Sequence, residues 1–128
     1  MTKRLLDHID LRVDDLEKCA PFYHGLLPLL GFTEDAKIDG WLQYVATHGD
    51  DDIVEFFGVT EDPHHVPNGT RIAFRAADKE TVDRIASRLP ALGALAIEGP
   101  DYEADFYYAV YFNDPAGNRL ELCHRTKN

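Results

Sequence analysis

Residues 111–122 read Tyr111-Phe112-Asn113-Asp114-Pro115-Ala116-Gly117-Asn118-Arg119-Leu120-Glu121-Leu122. The aromatic and β-branched residues of 106–113 mark a strand. The segment 114–118 supplies a turn, and residues 119–124 form a second strand. Glu121 stands in its centre, flanked by Leu120 and Leu122. A carboxylate inside an apolar strand is costly to bury unless something pairs with it. The same oddity occurs earlier, in Ile53-Val54-Glu55-Phe56-Phe57. Two such strands suggest a chain built from two like halves.

Working outward, residues 5–13 alternate Ile9, Leu11 and Val13 with His8, Asp10 and Arg12, a strand pattern. Asp14 and Asp15 offer an N-cap, and Glu17 stands at capping-box spacing from Asp14. Leu16, Ala20, Tyr23, Leu26, Leu27 and Leu30 recur at helical period before Gly31. Residues 32–37 and 41–47 read as strands joined by an Asp39-Gly40 hairpin turn. A tight turn over 49–52 leads to a strand over 53–58. Residues 60–69 hold two prolines, His64-His65 and an Asn-Gly, and read as a loop.

The order then recurs. A strand over 70–76 precedes a helix capped by Asp78 and running to Gly93. A short strand over 95–98, a polar loop over 99–105 and the two strands first quoted complete the half. Each half reads β-α-β-β-β, and such a repeat is an architectural signal in itself. The predicted fold is α+β, one domain over 1–128. Its modules cover about 5–58 and 70–124, with a linker over 59–69. They are expected to form curved mixed sheets around a central cleft, with helices outside.

The chain carries 13 Lys and Arg against 23 Asp and Glu, a net charge of -10. Phosphate contacts need clustered Lys and Arg, so this balance argues against nucleic-acid partners. No apolar run approaches the ~20 residues that span a bilayer. The basic start, Met1 to Arg4, leads into an apolar run that breaks at Asp7 and His8, too short for a signal peptide. A cytoplasmic protein is expected. Cys19 and Cys123 lack C-x-x-C neighbours and are expected as buried, reduced thiols. No G-x-S-x-G, P-loop or Rossmann glycine pattern is present.

Side chains alternate across a strand. His8, Asp10 and Arg12 share one face of the first strand. Arg71, Ala73 and Arg75 turn away from Ile72 and Phe74. Glu121 lies with Arg119 and Cys123, and Glu55 with Ile53 and Phe57. Sparse polar groups among apolar ones suggest a concave pocket lined by His8, Glu55, Arg71 and Glu121. His64 and His65 fit a solvated loop, and His24 a surface position. Trp41, Tyr44, Tyr107, Tyr108 and Tyr111 are expected in the core or the pocket wall.

Together these pieces resemble the vicinal oxygen chelate superfamily, which includes glyoxalase I, extradiol dioxygenases, fosfomycin-resistance enzymes and bleomycin-binding proteins. The resemblance covers residues 5–124. It is carried by Leu6-Asp7-His8-Ile9-Asp10-Leu11, by Asp15-Leu16-Glu17 through Phe22-Tyr23 to Leu29-Leu30-Gly31-Phe32, by Gly69-Thr70-Arg71-Ile72-Ala73-Phe74, and by the stretch 111–122. It implies a homodimer, a small-molecule ligand and a divalent metal (Zn, Fe, Mn or Ni) held between the halves. His8, Glu55 and Glu121 would be metal ligands, with Glu55 or Glu121 as the proton-transferring base.

One departure weakens the metal. The remaining ligand position, commonly His in that family, is Arg71 here. A guanidinium has no free acceptor and stays protonated. Beside a cation, at ~4 Å and an effective dielectric of ~20, each unit of like charge costs several kcal/mol. Arg71 could instead pair with Glu121 or Glu55, bind an anionic ligand bidentately, or swing away and leave three ligands to a metal. Two functions stand at this point. One is a metal-dependent lyase, isomerase or dioxygenase of glyoxalase type, acting on vicinal oxygens. The other is a metal-free small-molecule binding or sequestering protein of bleomycin-resistance type, with Arg71, Tyr107 and Tyr111 binding the ligand.

Overall fold

The structure is a computed structural model and describes residues 4–47 and 54–127. The first half contains β1 (His8–Val13), α1 (Leu16–Leu30), β2 (Glu34–Asp35), β3 (Leu42–Thr47) and β4 (Val54–Glu61). The second contains β5 (Arg71–Arg75), α2 (Lys79–Ala86), α3 (Leu89–Leu92), β6 (Leu95–Ala104), β7 (Tyr107–Asn113) and β8 (Arg119–Arg125). The chain divides into two compact units, Met1–His65 and Val66–Asn128. Each has a four-stranded mixed sheet, ordered β1-β4-β3-β2 and β5-β8-β7-β6. The α+β class and the repeated strand order are as read from the sequence. The turn expected over 49–52, and Ile53, lie outside the described residues. Among the described residues no helix is long and apolar enough to cross a membrane.

In the first unit, β1 pairs parallel with β4 across the α1 crossover. Asp15, rather than Asp14, caps α1, accepting from Lys18 N at 3.1 Å. Glu61 of β4 accepts from Leu16 N at 2.9 Å, so a second free N–H of the first turn is answered. Gly31 ends the helix at φ 113, a left-handed conformation that glycine adopts without strain. The buried stripe of α1 is Cys19, Phe22, Tyr23, Leu26 and Leu27. It is rotated from the expected one, and Leu16, Ala20 and Leu30 are only half-buried. Cys19 and Phe22 complete a wider apolar stripe than the leucines alone mark out. β4 runs past Gly58 to Glu61, so residues 59–61 are strand and not linker. Val59 is fully buried, paired with Leu11 and Leu42.

In the second unit, Asp78 caps α2 by accepting from Thr81 N at 2.8 Å and Thr81 Oγ1 at 2.6 Å. The single helix expected to reach Gly93 is two: α2 stops at Ala86 and α3 begins at Leu89. Pro90 lies in the first turn of α3. Its ring would clash with the carbonyl four residues earlier in a continuous helix, while a first turn tolerates it. The larger correction concerns 99–105, expected as a loop but folded as part of β6. Three register shifts, after Leu95, Glu98 and Tyr102, absorb the irregular residues. β6 is an edge strand, where glycine and proline are tolerated. Gly99 has φ 93, and a Cβ there would lie 2.9 Å from the Ala109 carbonyl oxygen.

Asp83 ties α2 to the sheet. It accepts from the Tyr108 hydroxyl at 2.5 Å and from Lys79 Nζ at 3.1 Å. These bonds hold its carboxyl below the ordinary 3.8, and the bonds from Thr81 do the same for Asp78. A carboxyl lowered on folding stabilises the fold above its ordinary value, and that contribution is lost as pH falls through the lowered value. Asp83→Asn should therefore lose less stability than the parent when pH drops below 3.8. Urea midpoints at neutral pH and at about pH 3 measure the difference.

Candidate functional site

The sheet of the first unit has α1 on one face. Phe57 meets Tyr23 of α1 at a ring-centroid distance of 6.0 Å, and His24 Nδ1 lies 2.6 Å from the Tyr44 hydroxyl. Alternation places Glu55, Val59 and Ala46 on that same face. His8 belongs to the opposite face. Its ring stacks on Phe56 at 4.4 Å, with the planes 3° apart. Its Nδ1 is bonded to Asp7 Oδ1 at 2.7 Å, and its Nε2 lies 3.8 Å from Asp10 Oδ2. Trp41 reaches over this face, where a Cβ on Gly58 would come within 2.8 Å of the indole ring.

His8 and Glu55, expected as joint metal ligands, thus lie on opposite faces of one sheet. The cause is register: His8 pairs with Phe56, and Phe57, 1% exposed, fixes which face is core. Glu55 instead faces Arg4, whose Nε lies 3.9 Å from its carboxylate.

The second unit is more coherent. Val82 and Ile85 of α2 and Leu120 and Leu122 of β8 are buried together with Phe74. The other face of the sheet carries Arg71, Ala73, Tyr107, Tyr111 and Glu121. Glu121 pairs with Ala73 on one side and Tyr111 on the other. It is 4% exposed, so its carboxylate needs a donor. The sequence reading offered Arg71. The structure supplies the Tyr107 hydroxyl, which donates to Glu121 Oε2. Arg71 pairs with Arg119, one step along the ladder from Glu121. Its guanidinium carbon lies 4.8 Å from the centroid of the Tyr111 ring, a cation–π contact. Arg125 covers the Tyr107 ring in the same way at 3.8 Å.

Burial first, and then the bond to Glu121, push the Tyr107 hydroxyl well above its ordinary 10.0. It remains a donor at any working pH. Tyr111 is also raised, chiefly by burial, and its hydroxyl interacts with Tyr107 and Glu103. Burial, followed by the nearby Glu121, raises the Cys123 thiol. A thiol held protonated is a poor nucleophile. Arg71, Tyr107, Tyr111 and Glu121 are therefore brought together, all within one unit. Glu98, Asp101 and Glu103 of β6 border the same face and were missed, because Gly99-Pro100 read as the start of a loop. The alternation of Asp101 and Glu103 about Tyr102 was the available signal.

Among the described residues no group of three or more His, Cys, Asp or Glu side chains is placed to hold a metal ion. Glu121 is engaged by Tyr107, Glu55 faces away from His8, and Arg71 is a fixed cation. These residues do not fit a divalent metal.

The sequence profile of the Glyoxalase/Bleomycin resistance protein/Dioxygenase superfamily matches residues 5–122. Among solved structures, a glyoxalase/bleomycin resistance protein from Albidiferax ferrireducens T118 is similar at 28% identity and TM-score 0.76, over 94% of this chain and 98% of that one. TnmS3, an antibiotic binding protein from Streptomyces sp. CB03234, is similar at 26% identity and TM-score 0.63, over 98% and 99%. The fosfomycin resistance protein FosX from Mesorhizobium loti, at 21% identity and TM-score 0.66 over 98% and 95%, shares the fold. No curated protein sequence matches the chain.

Proposed function

The chain belongs to the glyoxalase/bleomycin resistance protein/dioxygenase superfamily, and from that premise we propose that it binds a small anionic molecule, without a metal, on the open face of its second sheet. Arg71 is the observation that carries this reading. It is exposed, it forms no ion pair with a described residue, and its guanidinium rests on the Tyr111 ring. A guanidinium presents a fork of N–H donors that matches a carboxylate or phosphate. Stacking on Tyr111 pre-orders the fork, which lowers the entropy cost of binding. Tyr107 and Tyr111 stand on the same face beside it, each ring carrying a guanidinium, Arg125 on the one and Arg71 on the other. Glu121 acts as the buried acceptor that orients Tyr107. The antibiotic-binding TnmS3 supports a binding role for this fold.

Calorimetric titration with benzoate tests the proposal. Arg71→Ala should weaken binding about 10–100-fold, the loss of charged hydrogen bonds worth ~1.5–3 kcal/mol. Arg71→Lys should recover part of it. Equal affinity in Arg71→Ala and the parent would sink the proposal. A zinc titration addresses the competing function. Stoichiometric zinc that disappears in His8→Ala would replace this reading with the metal-dependent lyase, isomerase or dioxygenase.

A further inference from the structure

Arg71, Arg119 and Asn113 form one row across β5, β8 and β7. Arg71 pairs with Arg119, and Arg119 pairs with Asn113 on its other side. Paired residues project from the same face, so the row lies on the open face with Glu121 and Tyr111. The Arg71 side chain starts on β5 and its guanidinium rests on Tyr111 of β7, so it crosses β8 beside Arg119. Asn113 stands two residues from Tyr111 on the same face of β7. Three donor-bearing side chains therefore meet at one place. Both arginines are exposed and Asn113 is half-buried. The side chains of Arg119 and Asn113 have no hydrogen bond, ion pair or ring contact with a described residue.

The charge here runs against that of the chain. Asp and Glu outnumber Lys and Arg 23 to 13 overall. Along this face of β5 and β8 the balance reverses, with Arg71, Arg75, Arg119 and Arg125 against Glu121 alone. Glu121 is buried and already takes a bond from Tyr107. Like charges directly opposite each other destabilise a sheet, and Arg71 and Arg119 are so placed.

Resting on the anion binding proposed at Arg71, we infer that the acid group of the ligand is a dianion of the phosphate monoester class, held by Arg71 and Arg119 together with the Asn113 amide. A carboxylate has two oxygens, which a single guanidinium fork fills. A phosphate monoester has three acceptor oxygens and a charge of about −1.5 to −2. It serves both forks and the amide at once, and it cancels the repulsion between the two arginines. Arg71 would hold either kind of acid, whereas Arg119 is the residue that separates phosphate from carboxylate.

Two probes with the same ring test this by calorimetric titration at about pH 8: phenyl phosphate, which is then doubly charged, and methyl phenyl phosphate, which is singly charged. Phenyl phosphate should bind about tenfold tighter, the effect of one added charge-assisted contact. In Arg119→Gln that ratio should fall to near one. Arg119 is exposed, so the variant should fold as the parent does. Arg75→Gln removes the same charge from the same face outside the row and should leave the ratio within about twofold. A ratio near one in the parent, a ratio that survives Arg119→Gln, or one that collapses equally in Arg75→Gln overturns the dianion while leaving anion binding intact. Arg71→Ala should weaken both probes, and if it weakens neither, the underlying anion reading fails. If neither probe binds the parent, both readings fall.

Discussion

Replacing Asp114 with alanine is expected to cost about 3–4 kcal/mol of stability, because a buried carboxylate there holds the turn between β7 and β8. Asp114 is fully buried. Its Oδ1 accepts from the backbone N–H groups of Ala116 and Asn118, each at 2.9 Å. Its Oδ2 accepts from Asn118 Nδ2, also at 2.9 Å. Alanine would leave those donors in a confined space with no acceptor, and bonds to an ionised group are the stronger kind. Asp114→Asn keeps one acceptor oxygen and should cost about half as much. Urea unfolding measures both. The strands joined by this turn carry Tyr111 and Glu121, so benzoate affinity should fall along with stability in Asp114→Ala. A cost below about 1 kcal/mol would mean that the turn is held by its backbone alone.

The second large effect compares two adjacent phenylalanines. Phe57→Ala should destabilise by about 3–5 kcal/mol, as large core truncations do. Its ring is 1% exposed and lies against Tyr23 and Phe32, at centroid distances of 6.0 and 6.1 Å. Phe56→Ala should cost about 1 kcal/mol, because Phe56 is only half-buried and its ring stacks on exposed His8. Thermal and urea unfolding of both variants decide the matter. The opposite order would show that Phe56 faces the core. With Val13 still buried, it would mean that β4 had slipped by one residue against β1, the one change that puts Glu55 on the side of His8.

That comparison marks where the sequence stopped being legible. Alternation read correctly which residues of β4 share a face, but not which face is core. Ile53-Val54-Glu55-Phe56-Phe57 is apolar on both sides of Glu55, so the pattern alone has two solutions. The buried ring of Phe57 against α1 selects one of them. In β8 the leucines flanking Glu121 left a single solution. There Arg71, Tyr107, Tyr111 and Glu121 fall on one face, as parity required. The identity of the partner of Glu121 was out of reach, because it depends on how far a tyrosine on the neighbouring strand extends. The β6 carboxylates were hidden by turn chemistry. Gly99-Pro100 ends a central strand, yet an edge strand has one side without a ladder and can bulge around such residues. The length of the second helix was misread because leucines on both sides of Pro90 keep helical spacing while the backbone does not.

Trp41 is the one tryptophan of the 128 residues, and it belongs to the first repeat. Its indole sits over the bare backbone of Gly58. The protein thus carries a native optical label on one repeat only. Its emission reports melting of the first repeat with no engineered probe. A lesion confined to the second, such as Asp114→Ala, shifts the Trp41 melting curve to the extent that the two repeats behave as a single thermodynamic body.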